Sequence, residues 1–132
     1  MSYHFLPHTA DLRAALEASS LDELYASAVA LVREIIVDRS SVGTVKQRLI
    51  PWDVADPGER FFRFVRELLY LYDAEGFVPG TSRLQGHGVI VGGERFDPER
   101  HEPHHQIKAL TRHGFVFERR ADGYRAELVF DL

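Results

Sequence analysis

The strongest helix pattern in the chain lies at residues 57–77, which read PGERFFRFVRELLYLYDAEGF. Its large apolar side chains recur at intervals of three and four, the spacing that places them on one face of a helix. Pro57 stands near the start of the pattern and Gly76 just after its end, the positions that these two residues favour in helices. We therefore predict a helix over residues 59–74, whose broad apolar face is made by Phe61, Phe62, Val65, Leu68, Leu69 and Tyr72.

A second helix is predicted upstream, over residues 21–37. Ser20, followed three positions later by Glu23, is typical of a capping box, in which each residue satisfies a backbone group at the helix start. The apolar residues that follow at helical spacing are Leu24, Ala28, Leu31 and Ile35.

Short alternating segments around the two helices predict β-strands at residues 3–6, 11–17, 44–51, 83–91, 106–112, 115–120 and 124–131. We interpret Gly86 and Gly88 as a strand bulge and the Gly92-Gly93 pair as a turn. Asp122-Gly123 predicts a tight hairpin of type I′, because both central residues of that turn need positive φ. Two amphipathic helices with about six strands predict an α+β fold, in which the helices cover a largely antiparallel sheet.

Length and composition predict one domain over residues 1–132, because the 45% hydrophobic content is sufficient for a single buried core. No apolar run approaches the roughly 20 residues needed to cross a bilayer. The first four residues also lack the basic start of a secretion signal. These features predict a cytoplasmic protein without a membrane partner.

The formal net charge is −4, from 16 basic and 20 acidic residues, and this charge repels the phosphate backbone of nucleic acids. We therefore expect contact with RNA only indirectly, through a basic partner. The chain contains no cysteine, which excludes thiolate zinc sites and cysteine nucleophiles. Carboxylates, imidazoles and backbone oxygens remain as metal ligands, and this set favours hard cations.

The segment His101-Glu102-Pro103-His104-His105 offers two interpretations. Closely spaced imidazoles bind zinc or nickel, so His101, His104 and His105 are candidate ligands of a second metal site. Alternatively, Pro103 breaks a helix and the preceding polar residues are typical of a solvated loop. The chain has neither a Gly-x-Ser-x-Gly nucleophile motif nor a phosphate-binding glycine motif, so we assign no catalytic or cofactor-binding residue.

Asp11 and Asp131 form a different candidate pair, one at the start of an early strand and the other at the end of the last. Each carboxylate stands between apolar neighbours, where it is costly unless it is paired, hydrogen-bonded or bound to a cation. If the chain ends at Leu132, its terminal carboxylate adds a second negative group beside Asp131, and Asp38 is a candidate third ligand. The alternative is that these carboxylates are simply solvated strand ends.

Four blocks of the chain resemble the archease family: residues 8–11 (HTAD), 67–77 (ELLYLYDAEGF), 108–113 (KALTRH) and 131–132 (DL). They keep the family order and are spread over nearly the whole chain. The resemblance implies an α+β domain that binds a divalent cation, usually calcium, through Asp11 and Asp131. The Leu132 carboxylate and Asp38 are further candidate ligands.

Three other residues match family positions, namely Glu94, Lys108 and His113. The resemblance suggests that Lys108 contacts a partner protein or a nucleotide phosphate, although a lysine on the outer face of a strand is also ordinary. The chain departs from the family pattern at Arg66, at Arg112 and at the His104-His105 pair. The two arginines would alter the surface with which the family contacts a partner. The histidine pair is compatible with a second metal site.

The resemblance implies a non-catalytic protein that assists an RtcB-type RNA ligase in tRNA splicing or RNA repair. Such a ligase uses GTP and manganese, and the accessory protein promotes its guanylylation and multiple turnover. Two alternatives stay open: a chaperone-like partner of an RNA methyltransferase, and a small metal-dependent enzyme built on the three histidines. Loss of calcium binding with Asp11, or of zinc binding with His104 and His105, distinguishes the accessory protein from the enzyme.

Overall fold

The computed structural model describes residues 2–6, 11–38 and 42–132, with the side chain of Asp38 excepted. The described elements are β1 (Ser2–Leu6), β2 (Asp11–Ala18), α1 (Leu21–Ile36), β3 (Val37–Asp38), β4 (Lys46–Pro51), α2 (Pro57–Glu75), β5 (Phe77–Gln85), β6 (Gly88–Arg95), β7 (Glu102–Pro103), β8 (Ala109–Arg120) and β9 (Gly123–Asp131). The predicted α+β class, with two helices and antiparallel strands, is confirmed. The described strands are more numerous than the six or so expected, and they form three sheets rather than one.

Helix α1 begins where the sequence predicts and ends one residue earlier, as the chain enters β3. The backbone N–H of Glu23 donates to the Ser20 hydroxyl at 3.2 Å, as a capping box requires. The Glu23 carboxylate in turn accepts the backbone N–H of Ser19 at 3.1 Å rather than that of Ser20. The helix start is therefore specified by local side chains.

Helix α2 begins two residues earlier than predicted, because Asp56 caps it by accepting the Glu59 N–H at 2.9 Å and Pro57 occupies its first turn. It ends at Gly76, whose φ of 67° is left-handed and whose N–H donates to the Tyr72 carbonyl at 2.8 Å. In the described part of the chain, no helix has the length and apolar character needed to span a membrane.

The four-stranded sheet has the order β1-β2-β9-β8, so the second and the last strands of the chain lie side by side at its centre. Its inner face is apolar and includes Leu16, Leu128 and Phe130, all fully buried. The three-stranded sheet has the order β4-β6-β5, and β3 pairs with β7. Residues of both larger sheets and both helices belong to one hydrophobic core.

The prediction of a single strand over residues 83–91 is wrong, because these residues belong to the β5–β6 hairpin. The chain reverses at Gly86-His87, where a bulge was predicted, and the Gly92-Gly93 pair lies inside β6, where a turn was predicted. A Cβ atom on Gly93 would lie 2.2 Å from the Val78 carbonyl oxygen. The glycine at this position therefore permits close approach of neighbouring backbone rather than a turn.

The last hairpin also differs from prediction in detail. Residues 106–112 and 115–120 do not form two strands; β8 is one strand whose pairing with β9 shifts between Thr111 and Val116. The hairpin is tight, as expected, but the turn residues between the paired Arg120 and Gly123 are Ala121 and Asp122.

Candidate functional site

Asp11 and Asp131 lie directly opposite each other in the antiparallel pairing of β2 with β9. Directly opposed residues project from the same face of a sheet, with Cβ atoms roughly 4.5–5.5 Å apart. Their neighbours Leu12 and Phe130 are also opposite each other, and Phe130 is fully buried in the core. Because side chains alternate along a strand, the two aspartates project from the outer face.

This arrangement places two negative charges at one end of the sheet. Asp11 is partly buried and Asp131 is exposed. Like charges directly opposite each other across a strand pair destabilise it, and a cation between them would reverse the sign of this contribution.

Lys108 lies at the same end of the sheet, just before β8. Its backbone N–H donates to the Asp131 carbonyl at 2.8 Å, and Ala109 is the residue opposite Asp131 in the pairing of β8 with β9. Lys108 is exposed. The structure thus brings Asp11, Asp131 and Lys108 together, although they are far apart in sequence.

The other predicted ligands are placed less closely. Leu132 follows Asp131 and is 39% exposed. The backbone of Asp38 pairs with Glu102 in the two-stranded sheet, and its side chain lies outside the described part of the structure. Residues 8–10, which belong to the first family block, also lie outside the described residues.

Two opposed carboxylates suit a hard divalent cation, and the chain contains no thiolate that would select a soft one. Calcium takes six to eight oxygen ligands, so two carboxylates supply only part of its coordination. Across residues 2–6, 11–38 and 42–132, no cluster of three or more acidic or imidazole side chains has the arrangement of a metal site. The fit to calcium therefore rests on the carboxylate pair alone, and further donors would be backbone oxygens or water.

The charges farther along the same face are arranged in ion pairs. The Arg13 guanidinium lies 3.4 Å from Glu127. Arg125 contacts Glu17 at 2.8 Å and Glu127 at 3.1 Å. The cations on this face therefore already have carboxylate partners, and Asp11 and Asp131 lie at the end of that row.

His101 is buried, with 2% exposure, which makes the prediction of a solvated loop wrong at this residue. Its Nδ1 accepts the backbone N–H of Asp97 at 2.8 Å, so the proton is on Nε2, which lies 2.7 Å from the Glu94 carboxylate. Both ring nitrogens are therefore used in internal hydrogen bonds. Glu94 belongs to the preceding strand, which explains why the residues of the loop itself did not reveal the burial.

Glu94 is the centre of this buried polar cluster. Arg100 donates to it at 2.6 Å, in addition to His101. Burial raises the pKa of Glu94, but the hydrogen bonds from Arg100, the Gly43 backbone and His101 outweigh that effect, so the pKa lies below its ordinary value. A buried carboxylate that keeps its charge in this way holds the loop after β6 against the sheet.

His104 and His105 are separate from His101 and cap the end of α1. Their backbone N–H groups donate to the carbonyls of Ile36, at 3.2 Å, and of Ile35, at 2.9 Å. The two rings lie 4.1 Å apart, and burial followed by the nearby His104 lowers the pKa of His105. The hypothesis of an enzyme built on all three histidines is wrong, because His101 is committed to Glu94 elsewhere.

Arg112, a departure from the family pattern, has an internal role. Its guanidinium donates two hydrogen bonds to Glu59, at 2.6 and 2.8 Å, and lies 4.1 Å from the centre of the Phe62 ring. It therefore joins β8 to α2. The sequence does not reveal this ion pair, because its partners are 53 residues apart.

The chain matches the archease protein family model (MTH1598/TM1083) over residues 3–132. It is 33% identical to protein archease of Pyrococcus furiosus, over 95% of this chain and 94% of that protein. It is also 33% identical to protein archease of Archaeoglobus fulgidus, over the full length of both. A crystal structure described as an archease, possible chaperone, from Thermotoga maritima superposes with a TM-score of 0.68 and 25% identity, covering 96% of this chain and 94% of that chain.

Proposed function

Because the chain belongs to the archease family, we propose that it is a non-catalytic accessory protein of an RtcB-type RNA ligase that holds a divalent cation, expected to be calcium, between Asp11 and Asp131. The observation that carries the proposal is the register of β2 and β9, which sets the two carboxylates opposite each other. The Leu132 carboxylate and Asp38 stay candidate additional ligands.

The charges of the chain suggest how it would act on the ligase. A ligase that uses GTP and manganese needs cations and phosphates in its active centre, and an exposed pair of carboxylates is complementary to such a centre. Lys108, beside the pair, would contact the partner or a phosphate. The net charge of −4 leaves the binding of RNA to the ligase. The chain would promote guanylylation and turnover while the reaction stays in the partner.

Single-turnover guanylylation of a purified RtcB-type ligase, with and without this protein, tests the proposal. We expect stimulation by the wild type and at least a tenfold loss of that stimulation with Asp11→Asn plus Asp131→Asn. Glu17→Gln is the matched control, because Glu17 lies on the same face of β2, far from the pair. Equal stimulation by the wild type and the double variant would refute the role of the carboxylates.

A chaperone-like partner of an RNA methyltransferase is the second candidate. It is favoured by the description of the Thermotoga maritima relative as a possible chaperone. This function predicts that the protein retains a methyltransferase in a pull-down from cell extract and leaves ligation unchanged. Copurification with the ligase and stimulation of its guanylylation would favour the first candidate instead.

A further inference from the structure

A pocket lies at the opposite end of the four-stranded sheet from the aspartate pair. It is about 190 Å³ in volume and lies between the two helix starts and the β8–β9 hairpin. One of its lining residues, Tyr124, is paired with Ala18, seven residues along β9 from Asp131. At a rise of about 3.3 Å per residue, the two places are roughly 23 Å apart.

Four of the eight residues that line this pocket are aromatic. The ring centres of Tyr25 and Trp52 lie 6.0 Å apart. The ring centres of Phe117 and Tyr124 are also 6.0 Å apart. Flat aromatic surfaces of this kind are suited to stacking against a planar ring.

Two arginines line the pocket and no carboxylate does. The Arg60 guanidinium is held in place, because its Nε donates to the Val54 carbonyl at 2.6 Å and its carbon lies 4.7 Å from the centre of the Trp52 ring. Arg119 is exposed and forms no ion pair with any residue in the described ranges. The two charged residues of the lining are therefore both cations, although the whole chain is acidic.

Both helices begin at this pocket. Its lining includes Leu21, the first residue of α1, and Pro57, the first residue of α2. The amino end of a helix carries partial positive charge, but Asp56 caps α2, and Asp22 and Glu23 lie in the first turn of α1. The attraction for an anion therefore comes from the two arginines.

Two polar groups lie among the aromatic rings. The Trp52 indole N–H is buried and makes no hydrogen bond of normal geometry with any residue that the structure describes. Burial raises the pKa of Tyr25 to about 12, against the opposing effects of the nearby Trp52 and Arg60, so its hydroxyl is protonated at neutral pH. The two groups lie side by side, because the Trp52 N–H is directed at the Tyr25 hydroxyl.

We propose that this pocket binds a nucleotide unit, with the base against the aromatic rings and the phosphate at Arg60 and Arg119. The volume is below the roughly 300–1,000 Å³ of pockets for larger ligands, so it suits one base rather than a dinucleotide cofactor. The net charge of −4 disfavours a long strand, which leaves a free mononucleotide or the end of an RNA. The inference stands independently of the proposed cation site and of the ligase.

Trp52 is the only tryptophan in the chain, so its fluorescence reports on this pocket directly. We would titrate the full chain with AMP, GMP, CMP and UMP, with adenosine, with inorganic phosphate, and with a short single-stranded RNA. We expect saturable quenching by at least one mononucleotide and weaker binding of adenosine and phosphate. Tighter binding of the RNA would identify a strand end as the ligand, and equal or weaker binding would identify a free nucleotide.

Arg119→Gln is the test variant and Arg120→Gln its matched control. The two arginines are adjacent on β8 and their removal changes the net charge equally, but only Arg119 lines the pocket, whereas Arg120 contacts Glu118 at 2.9 Å. We expect at least a tenfold loss of nucleotide affinity with Arg119→Gln and less than a twofold change with Arg120→Gln. Circular dichroism would verify that both variants fold. The proposal is overturned if no nucleotide gives saturable quenching, if phosphate alone binds as well, or if both variants weaken binding equally.

Discussion

Glu59 shows how one partly buried side chain can join two elements of this fold. It lies in the first turn of α2, accepts from Arg63 on the next turn at 2.8 Å, and receives two hydrogen bonds from Arg112 of β8. Hydrogen bonds from Arg112 and then Arg63 lower the pKa of Glu59 from 4.5 to about 2. The two arginines stabilise the ionised Glu59 carboxylate. Protonation of Glu59 in acid would therefore remove the ion pair that joins α2 to β8.

The sign of the pH dependence of folding follows from that shift. A carboxyl whose pKa is lowered on folding stabilises the protein above its unfolded pKa, and this contribution disappears as the pH falls from about 4.5 to about 2. We expect urea titrations of Glu59→Gln to show a smaller loss of stability over that interval than the wild type. Glu99→Gln, in an exposed turn, is the control and should follow the wild type. Parallel curves for wild type and Glu59→Gln would contradict the assignment.

The buried cluster around Glu94 could not be predicted from its individual residues. His101 stands among polar residues, and nothing within the loop shows that its Nε2–H donates a hydrogen bond to a carboxylate of β6. Asp11 and Asp131 were predictable as a pair because each charged group stands between apolar neighbours and because both match family positions. The aromatic pocket was not predicted, since Tyr25, Trp52 and Phe117 come from three distant segments.

Among the secondary-structure elements, the helices were the most predictable, because their ends are specified by nearby residues. Ser20, Asp56 and Gly76 each act within four residues of their own position. The hairpins were less predictable, since the ends of a strand depend on which backbone segments pair with it in the folded chain. Gly93 looks like a turn residue in the sequence, yet it faces the Val78 carbonyl inside a sheet. Conversely, the turn at Gly86-His87 lies within what the sequence presents as one continuous strand.

The end of α2 offers a direct test of this local control. Gly76 has a φ of 67°, and a Cβ atom there would meet only the Arg95 side chain, at 3.9 Å. The cost of Gly76→Ala is therefore conformational, about 1–2 kcal/mol. Gly76→Asn should cost less, because asparagine adopts the left-handed region more readily. Chemical denaturation would measure both variants, and an equal cost for the two would show that backbone strain is not the cause.

At the scale of the whole molecule, a cation between Asp11 and Asp131 would join an early strand of the chain to its last strand. β2 and β9 are the central strands of the four-stranded sheet, and Asp11 and Asp131 are the last pair of their ladder. Like charges that lie directly opposite each other disfavour the pairing of two strands. A bound cation would turn the same pair into a link between the early and the late parts of the chain.

We therefore expect the effect of Asp131→Asn on the free energy of unfolding to change sign when calcium is added. In a chelator, the variant should be at least as stable as the wild type, because one of two opposed charges is gone. With calcium at 100 times its dissociation constant, the wild type should gain about 2.7 kcal/mol, a rise in melting temperature on the order of 10 °C, and the variant should gain little. Calorimetry with calcium, magnesium or zinc would measure this, with Glu17→Gln as the matched control. A wild type that calcium does not stabilise, or a variant that gains as much as the wild type, would show that the cation does not bind between these strands.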